Sequence, residues 1–302
     1  MCRIAIILAA YNGEDFLYEQ LHSIVSLESI KFTLYFCDHN SIDSTKSIFI
    51  DFCEQNDLEF KIIESRVPYI GAGQNFFHII REVDADKFDY FAFCDQDDIW
   101  LPKKLSHAVQ IIEKLGVNGY SSSVKSFRND NNKYKYINKY PKQKKYDYFF
   151  QSPGPGCTFV LTQNLFIDLK SFIKPKTVLM KNIYYHDWFI YAFARHFNYN
   201  WFIDPVSHIY YRQHDNNDTG TSSSVYAKFK RFKLLWNSWA FDQALSISEV
   251  IGYDHKLKIF YNYYPLNLFI LLFTIRHYRR DFTNSVLLFL ILIFNRFNPK
   301  RN

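Results

Sequence analysis

Three carboxylates, Asp95, Asp97 and Asp98, crowd the end of the apolar run Tyr90-Phe91-Ala92-Phe93-Cys94. An uninterrupted apolar run of this length reads as a strand buried on both faces. Side chains alternate along a strand, which predicts Asp95 and Asp97 on one side of its carboxyl end and Asp98 on the other. Like charges this close repel one another unless a cation compensates them. Hard divalent ions such as Mg2+ and Mn2+ favour oxygen ligands and bridge one or two carboxylates to substrate phosphates. The cluster is therefore a candidate metal and phosphate site. The plainer alternative is an acidic loop solvated at a strand end.

The elements that would position this cluster alternate along the first ~115 residues. Strand patterns cover residues 4–10, 31–37, 58–63 and 90–94. The first helix carries Leu17, Leu21, Ile24 and Val25 at helical spacing, and the second takes Ser41 or Asp43 as its N-cap. A third helix over 75–81 is entered through Gly71 and Gly73. Pro102 opens a fourth, with Leu105, Ala108, Ile112 and Leu115 as its stripe. Strand-helix alternation makes a parallel sheet with right-handed crossovers, whose ligands bind beyond the carboxyl ends of the strands. The turns after strands one, two and four hold Tyr11 and Asn12, Asp38, and Asp95 with Asp97, so polar chemistry gathers on one sheet edge. Residues 118–148, rich in Asn, Lys, Ser and Tyr, read as a variable excursion. The Gly/Pro segment 152–158 reads as a lining of an acceptor groove or as a plain tight turn.

A chain of 302 residues, 48% hydrophobic and 20% aromatic, can bury the core of one large domain with an appendage. A net charge of +6 suits an anionic partner without identifying it. Five cysteines, an odd number with no C-x-x-C pair, fit a reducing, cytoplasmic compartment. Residues 4–10 lead into the polar turn Tyr11-Asn12-Gly13-Glu14-Asp15, so they read as a first strand and not as a signal peptide. The Gly71-Ala72-Gly73 loop follows the third strand and lacks a third glycine, which argues against a dinucleotide fingerprint.

Six segments now appear in order: Ala9-Ala10-Tyr11-Asn12-Gly13, Asp38-His39-Asn40-Ser41-Ile42-Asp43, Asp95-Gln96-Asp97-Asp98-Ile99-Trp100, Pro155-Gly156-Cys157, His186-Asp187-Trp188 and Tyr211-Arg212-Gln213-His214. Together they resemble the family 2 glycosyltransferases of bacterial polysaccharide assembly, over residues 3–220. The resemblance implies an α/β chain with a GT-A (Rossmann-like) nucleotide-sugar-binding sheet flanked by helices. It implies inverting transfer of a sugar from a nucleotide-sugar to an acceptor hydroxyl. By that resemblance Ala9, Tyr11 and Asp38 hold nucleobase and ribose, and Asp95 and Asp97 form the DxD motif. Asp97 would ligate Mn2+ or Mg2+, His214 would complete the metal shell, and Asp187 would be the catalytic base. Arg212 would add a fixed cation at the donor phosphates. Each assignment has a plainer counterpart: a helix cap for Asp187 or Asp38, and a loop histidine for His214. His186 is the alternative base. The chain departs from the family pattern at His39, where a second acid is usual, and at Pro68-Tyr69-Ile70, where a more polar approach to Asn75 is common.

These readings divide the chain into a glycosyltransferase domain at 1–220 and an aromatic, basic helical region at 221–302. Residues 225–239 carry Phe229, Phe232, Trp236 and Trp239 among Lys228, Lys230, Arg231 and Lys233, a pattern suited to a membrane surface or to packing on the catalytic domain. The apolar runs 266–275 and 286–294 are each about half of the ~20 residues a spanning helix needs, and read as a helical hairpin. The expected activity is metal-dependent hexose transfer in O-antigen or capsule assembly, with a UDP-glucose or UDP-galactose donor ahead of dTDP-rhamnose. The expected acceptor is a polyprenyl-diphosphate-linked sugar at the inner face of the cytoplasmic membrane, with no nucleic-acid partner. The alternatives are a nucleotidyltransferase and a non-catalytic sugar- or membrane-binding protein.

Overall fold

The apolar runs of the amino-terminal half become neighbouring strands. A computed structural model of the chain describes residues 2–65, 71–128, 134–139, 142–214, 239–252 and 273–296, with side chains to residue 290. The chain divides into two compact units, Met1–Tyr140 with Pro153–Asp218, and Pro141–Ser152 with Thr219–Asn302.

In the first unit β1 (Arg3–Ala10), β2 (Lys31–Asp38), β3 (Phe60–Ile62) and β4 (Tyr90–Cys94) lie parallel in the order β4-β1-β2-β3. The helices between them are α1 (Leu17–Val25), α2 (Thr45–Gln55) and α3 (Ala72–Glu82). After β4 come β5 (Ile99–Trp100), α4 (Lys104–Leu115), β6 (Gly119–Ser122), β7 (Val124–Phe127) and β8 (Lys135–Ile137). They are followed by β9 (Val160–Thr162), α5 (Gln163–Ile173), α6 (Thr177–Met180), α7 (His186–His196), β10 (Trp201–Asp204) and β11 (Ile209–Arg212).

Both faces of the sheet are buried, as the unbroken apolar runs require. Ile4, Ile6 and Leu8 of β1 meet Leu17, Leu21 and Ile24 of α1, Phe49 of α2, and Leu105 and Ala108 of α4. On the opposite face aromatic rings carry the packing: Phe91 stacks on Phe166 of α5 at 3.7 Å, and Phe77 of α3 meets Phe189 of α7 edge-on at 5.5 Å. All five cysteines are free, and Cys37, Cys53, Cys94 and Cys157 are buried among these side chains as small hydrophobes.

The architecture corrects several expectations. The large sheet has seven strands in the order β10-β6-β9-β4-β1-β2-β3 and is mixed, since β9 runs antiparallel to both β4 and β6. Residues 118–127, read from the sequence as part of a variable excursion, form strands instead. β6 joins the large sheet, and β7 joins a second sheet of order β5-β11-β7-β8. Its serines tolerate burial because they are hydrogen-bonded: the Trp201 indole donates to Ser121 Oγ at 3.0 Å, and Ser122 Oγ donates to the Ser123 carbonyl. The second helix starts at Thr45 with Ser44 at the cap position, and neither Ser41 nor Asp43 stands there; the Ser41 hydroxyl is engaged with Asp38 and the Asn12 N–H. Asp43 accepts the Thr45 N–H at 3.0 Å instead. The third strand is shorter than 58–63. The third helix starts at Ala72, so Gly73 lies inside it.

In the second unit the described helices are Trp239–Ile251 and Phe282–Arg296. A buried Asp147–Arg280 pair at 3.3 Å ties the segment before residue 152 to the approach to the latter helix. Phe282, Val286, Leu287 and Leu290 of that helix are exposed. The 286–294 run falls within it, whereas 225–238 and most of 266–275 lie outside the described residues. Among the described residues no helix is long and apolar enough to cross a membrane.

Candidate functional site

Strand register sets the geometry. Ala10 lies opposite Asp38, and Leu8 opposite Cys94, so the loops after β1, β2 and β4 leave one edge side by side. The chain moves outward from β1 to β3 and then returns to β4 on the other side of β1. That reversal is the kind of switch point where open α/β sheets bind ligands.

The loop after β1 is held from two directions. On the β2 side, the Asn12 N–H donates to Ser41 Oγ at 2.7 Å, and the Ile42 N–H donates back to Asn12 Oδ1 at 3.0 Å. The Gly13 N–H donates to Thr45 Oγ1 at 2.7 Å. Asn12 adopts φ 45°, a left-handed conformation that asparagine tolerates. Asp38 accepts from both the backbone and the hydroxyl of Ser41, so part of its capacity supports this loop. On the β4 side, the Gln96 carboxamide receives the Tyr11 N–H at 2.7 Å and donates to the Tyr11 carbonyl at 3.0 Å. The Tyr11 side chain is 37% exposed. Ala9 lies within β1 and is buried, so it bounds the site from beneath.

β4 ends at Cys94, and the alternation that would separate Asp98 from Asp95 ends with it. Asp95, Asp98 and Cys157 instead bring ligating atoms within 4.8 Å of one another. Asp97 turns to His214, whose Nε2 is 2.6 Å from its Oδ2, and the imidazole stacks on Phe16 at 4.7 Å. Asp98 is fully buried and accepts the Arg212 N–H at 3.1 Å. Burial, with the Asp97 and Asp95 carboxylates close by, raises its pKa well above the usual carboxylate range. Beneath this loop the Lys104 ammonium lies 3.6 Å from the Trp100 ring centroid, and burial pulls its pKa down to about 8. Asp97 and His214 bring a carboxylate oxygen and an imidazole nitrogen together, donors of the kind that Mn2+ accepts, with Asp95 two residues away in the same loop.

Arg212, expected to face the donor phosphates, contacts the acidic loop in this structure. It is buried, and its Nε donates to the Asp97 carbonyl at 2.7 Å, while its terminal nitrogen pairs with Glu19. The guanidinium lies between the rings of Phe16 and Phe127, 5.1 and 4.7 Å from their centroids. Its charge is directed to holding the acidic loop.

Asp187 sits in the first turn of α7, one residue inside the helix, and not at the cap. Its Oδ1 accepts the Trp188 N–H at 2.6 Å. Negative charge there is favoured by the helix dipole. Two glycines let the start of α7 and the residues before it pack closely on their neighbours. A Cβ on Gly73 would stand 2.1 Å from the Tyr184 carbonyl oxygen, and one on Gly156 would stand 2.2 Å from His186 Nε2. Gly156 adjoins Cys157, so α7 begins at the edge that carries Asp95 and Asp98. His186 is packed on Phe76 at 3.9 Å, and burial lowers its pKa to about 3. An imidazole so reluctant to take a proton is a poor base, and Asp187 keeps that candidacy. Gly73→Ala must displace the Tyr184 backbone, and we expect a stability loss of about 1–3 kcal/mol. Because the displaced segment leads to Asp187, kcat should fall more than donor KM rises, as thermal unfolding and steady-state kinetics would reveal.

The structure thus gathers Tyr11, Asp38, Asp95, Asp97 and His214 at one sheet edge, with α7 reaching it through Gly156. Lys104 and Phe16 were not singled out from the sequence, Gln96 and Cys157 entered only as members of longer segments, and Ser41 was read only as a helix cap. The glutamine stood in view between the two acids, but only a folded chain shows that its amide meets Tyr11.

Comparisons with known proteins bear on this edge. A family model described as glycosyl transferase family 2 matches residues 5–174. The dTDP-rhamnosyl transferase RfbG of Shigella flexneri is 34% identical over 294 residues, 96% of this chain and the whole of that protein. The Escherichia coli enzyme WfgD, a UDP-Glc:alpha-D-GlcNAc-diphosphoundecaprenol beta-1,3-glucosyltransferase, is 22% identical over 56% of this chain and 63% of its own. Among solved structures, S. aureus TarS in complex with UDP-GlcNAc superposes with a TM-score of 0.55 at 14% identity, covering 95% of this chain and 83% of TarS. Mannosyltransferase PcManGT from Pyrobaculum calidifontis, in complex with GDP-Man and Mn2+, gives 0.54 at 12% identity, covering 99% and 88%. At such identities these two likenesses speak for the fold alone.

Proposed function

The chain belongs to glycosyl transferase family 2, and from that premise we propose that it transfers rhamnose from dTDP-rhamnose to a sugar hydroxyl, inverting the anomeric carbon. It is a glycosyltransferase with the GT-A fold, of the kind that builds bacterial O-antigen polysaccharide. Support for rhamnose comes from RfbG, matched along its full length, and it moves our preference away from the UDP-hexoses favoured by the sequence. UDP-glucose is the second reading, favoured by the weaker likeness to WfgD.

The observation that carries the site assignment is the Asp97–His214 pair at 2.6 Å, on the same edge as the Tyr11 and Asp38 loops. In this reading Tyr11 and Asp38 receive nucleobase and ribose. Asp95, Asp97 and His214 would hold a Mn2+ or Mg2+ ion, which would supply charge to offset the departing diphosphate. Asp187 accepts the acceptor hydroxyl proton as its oxygen bonds to the anomeric carbon. The bond to the phosphate oxygen breaks with its electron pair, and the nucleoside diphosphate leaves. Direct displacement needs no covalent sugar-enzyme intermediate.

We further propose residues 1–220 as the catalytic domain and 221–302 as an appendage that brings the enzyme to the inner face of the cytoplasmic membrane. The exposed apolar side chains of the helix Phe282–Arg296 support a lipid-facing role, and the acceptor is then a polyprenyl-diphosphate-linked sugar. The test measures nucleoside diphosphate release from dTDP-rhamnose, UDP-glucose and UDP-galactose, with Mn2+ or EDTA, on a lipid-diphosphate sugar acceptor. Turnover with dTDP-rhamnose that EDTA abolishes is expected. Turnover with a UDP-hexose alone would overturn the donor assignment, and full activity in EDTA would overturn the metal assignment.

A further inference from the structure

Two halves of the donor site each have their own hydrogen bonds, and they are joined behind the loops where Phe16 stacks on His214 and Arg212 pairs with Glu19. The base half is one body, since the β1 loop is pinned to the β2 loop through Asn12, Ser41, Asp38, Gly13 and Thr45. The metal half is another, with Asp97 fixed by His214 and its carbonyl fixed by Arg212. At the loop tips themselves the Gln96 side chain clasps both backbone polar groups of Tyr11 while sitting between Asp95 and Asp97 in sequence. Its grip leaves little slack, because a Cβ on Gly13 would stand 2.4 Å from Gln96 Oε1. The residue at 13 is thus glycine where the amide must pass close to the loop.

We propose that Gln96 is a positioning residue that sets the distance between the nucleobase end and the diphosphate end of the donor site. The inference rests on the donor-site reading above. A ligand that occupies one half feels little of this clasp, whereas a ligand spanning both halves binds tightly only while their spacing is fixed. If release of the clasp leaves the correct spacing populated about a tenth of the time, affinity for a spanning ligand falls about tenfold.

The test titrates three probes in Mn2+ buffer into the full chain: thymidine monophosphate, pyrophosphate and thymidine diphosphate. Gln96→Met fills the same volume without an amide. Gln96→Glu keeps an acceptor for the Tyr11 N–H but cannot, as a carboxylate, donate to the Tyr11 carbonyl. For Gln96→Met we expect about tenfold weaker thymidine diphosphate binding, with less than a twofold change for either fragment. Gln96→Glu should show a smaller loss of the same pattern, and both variants should unfold within a few degrees of the native protein. Equal losses for monophosphate and diphosphate would make Gln96 a direct ligand and overturn the clasp, as would unchanged diphosphate affinity in both variants. Failure of the native protein to bind any of the probes would instead sink the donor-site reading, and the inference with it.

Discussion

Asp187→Asn is expected to lower kcat by about 10²–10⁴-fold while leaving the affinity for donor nucleotide within about twofold. An acceptor hydroxyl cannot attack without losing its proton, and among the groups at the start of α7 only Asp187 suits the task. His186 beside it is held neutral by burial, with a pKa of about 3. The carboxylate is half-buried, in the first turn of a helix whose dipole favours its charge. Asparagine keeps the size, and its carbonyl can still accept the Trp188 N–H, so the fold should survive. What disappears is the ability to take a proton. Rapid-quench measurement of sugar transfer, alongside calorimetric titration of the nucleotide, separates the two quantities. Full kcat in Asp187→Asn would return the base to another group. A parallel loss of nucleotide affinity would make Asp187 a donor ligand.

The apolar runs announced β1, β2 and β4 because a strand covered on both faces needs uninterrupted hydrophobic sequence. The polar residues that end them then mark the edge where a ligand can sit. Local signals said much less about what those polar residues touch. Alternation set Asp98 on the side opposite Asp95, yet it is buried against the Arg212 backbone with its carboxylate near Asp95, since the chain turns after Cys94 and alternation no longer applies. The serines before Val124 resembled part of a variable excursion, because nothing local reveals that Trp201, 80 residues on, donates to Ser121. Gly71 and Gly73 resembled loop glycines, while Gly73 in fact makes room for the Tyr184 carbonyl. In each case the deciding partner is distant in sequence, where periodicity and propensity carry no information.

Arg212 makes that lesson measurable. Both Arg212→Lys and Arg212→Met should destabilise the protein by about 2–4 kcal/mol and weaken Mn2+ binding about tenfold, because the guanidinium braces the metal half of the site. A hydrogen bond from a charged donor contributes about 1.5–3 kcal/mol, which applies in full to the buried contact with the Asp97 carbonyl. The Glu19 contact counts for less, since that carboxylate is 56% exposed and screened by water. Stacking between Phe16 and Phe127 adds about 0.5–2 kcal/mol. Lysine keeps the charge but lacks the planar fork, and cannot serve a carbonyl, a carboxylate and two ring faces together. Phe16 also stacks on His214, so loss of the guanidinium loosens the imidazole beside Asp97. An arginine that served as a phosphate ligand would behave differently: Arg212→Lys would then unfold like the native protein, bind Mn2+ normally and lose only nucleoside diphosphate affinity. Urea unfolding without nucleotide, together with Mn2+ titration, distinguishes the two roles. Native stability in both variants would show that the buried guanidinium does not hold the acidic loop.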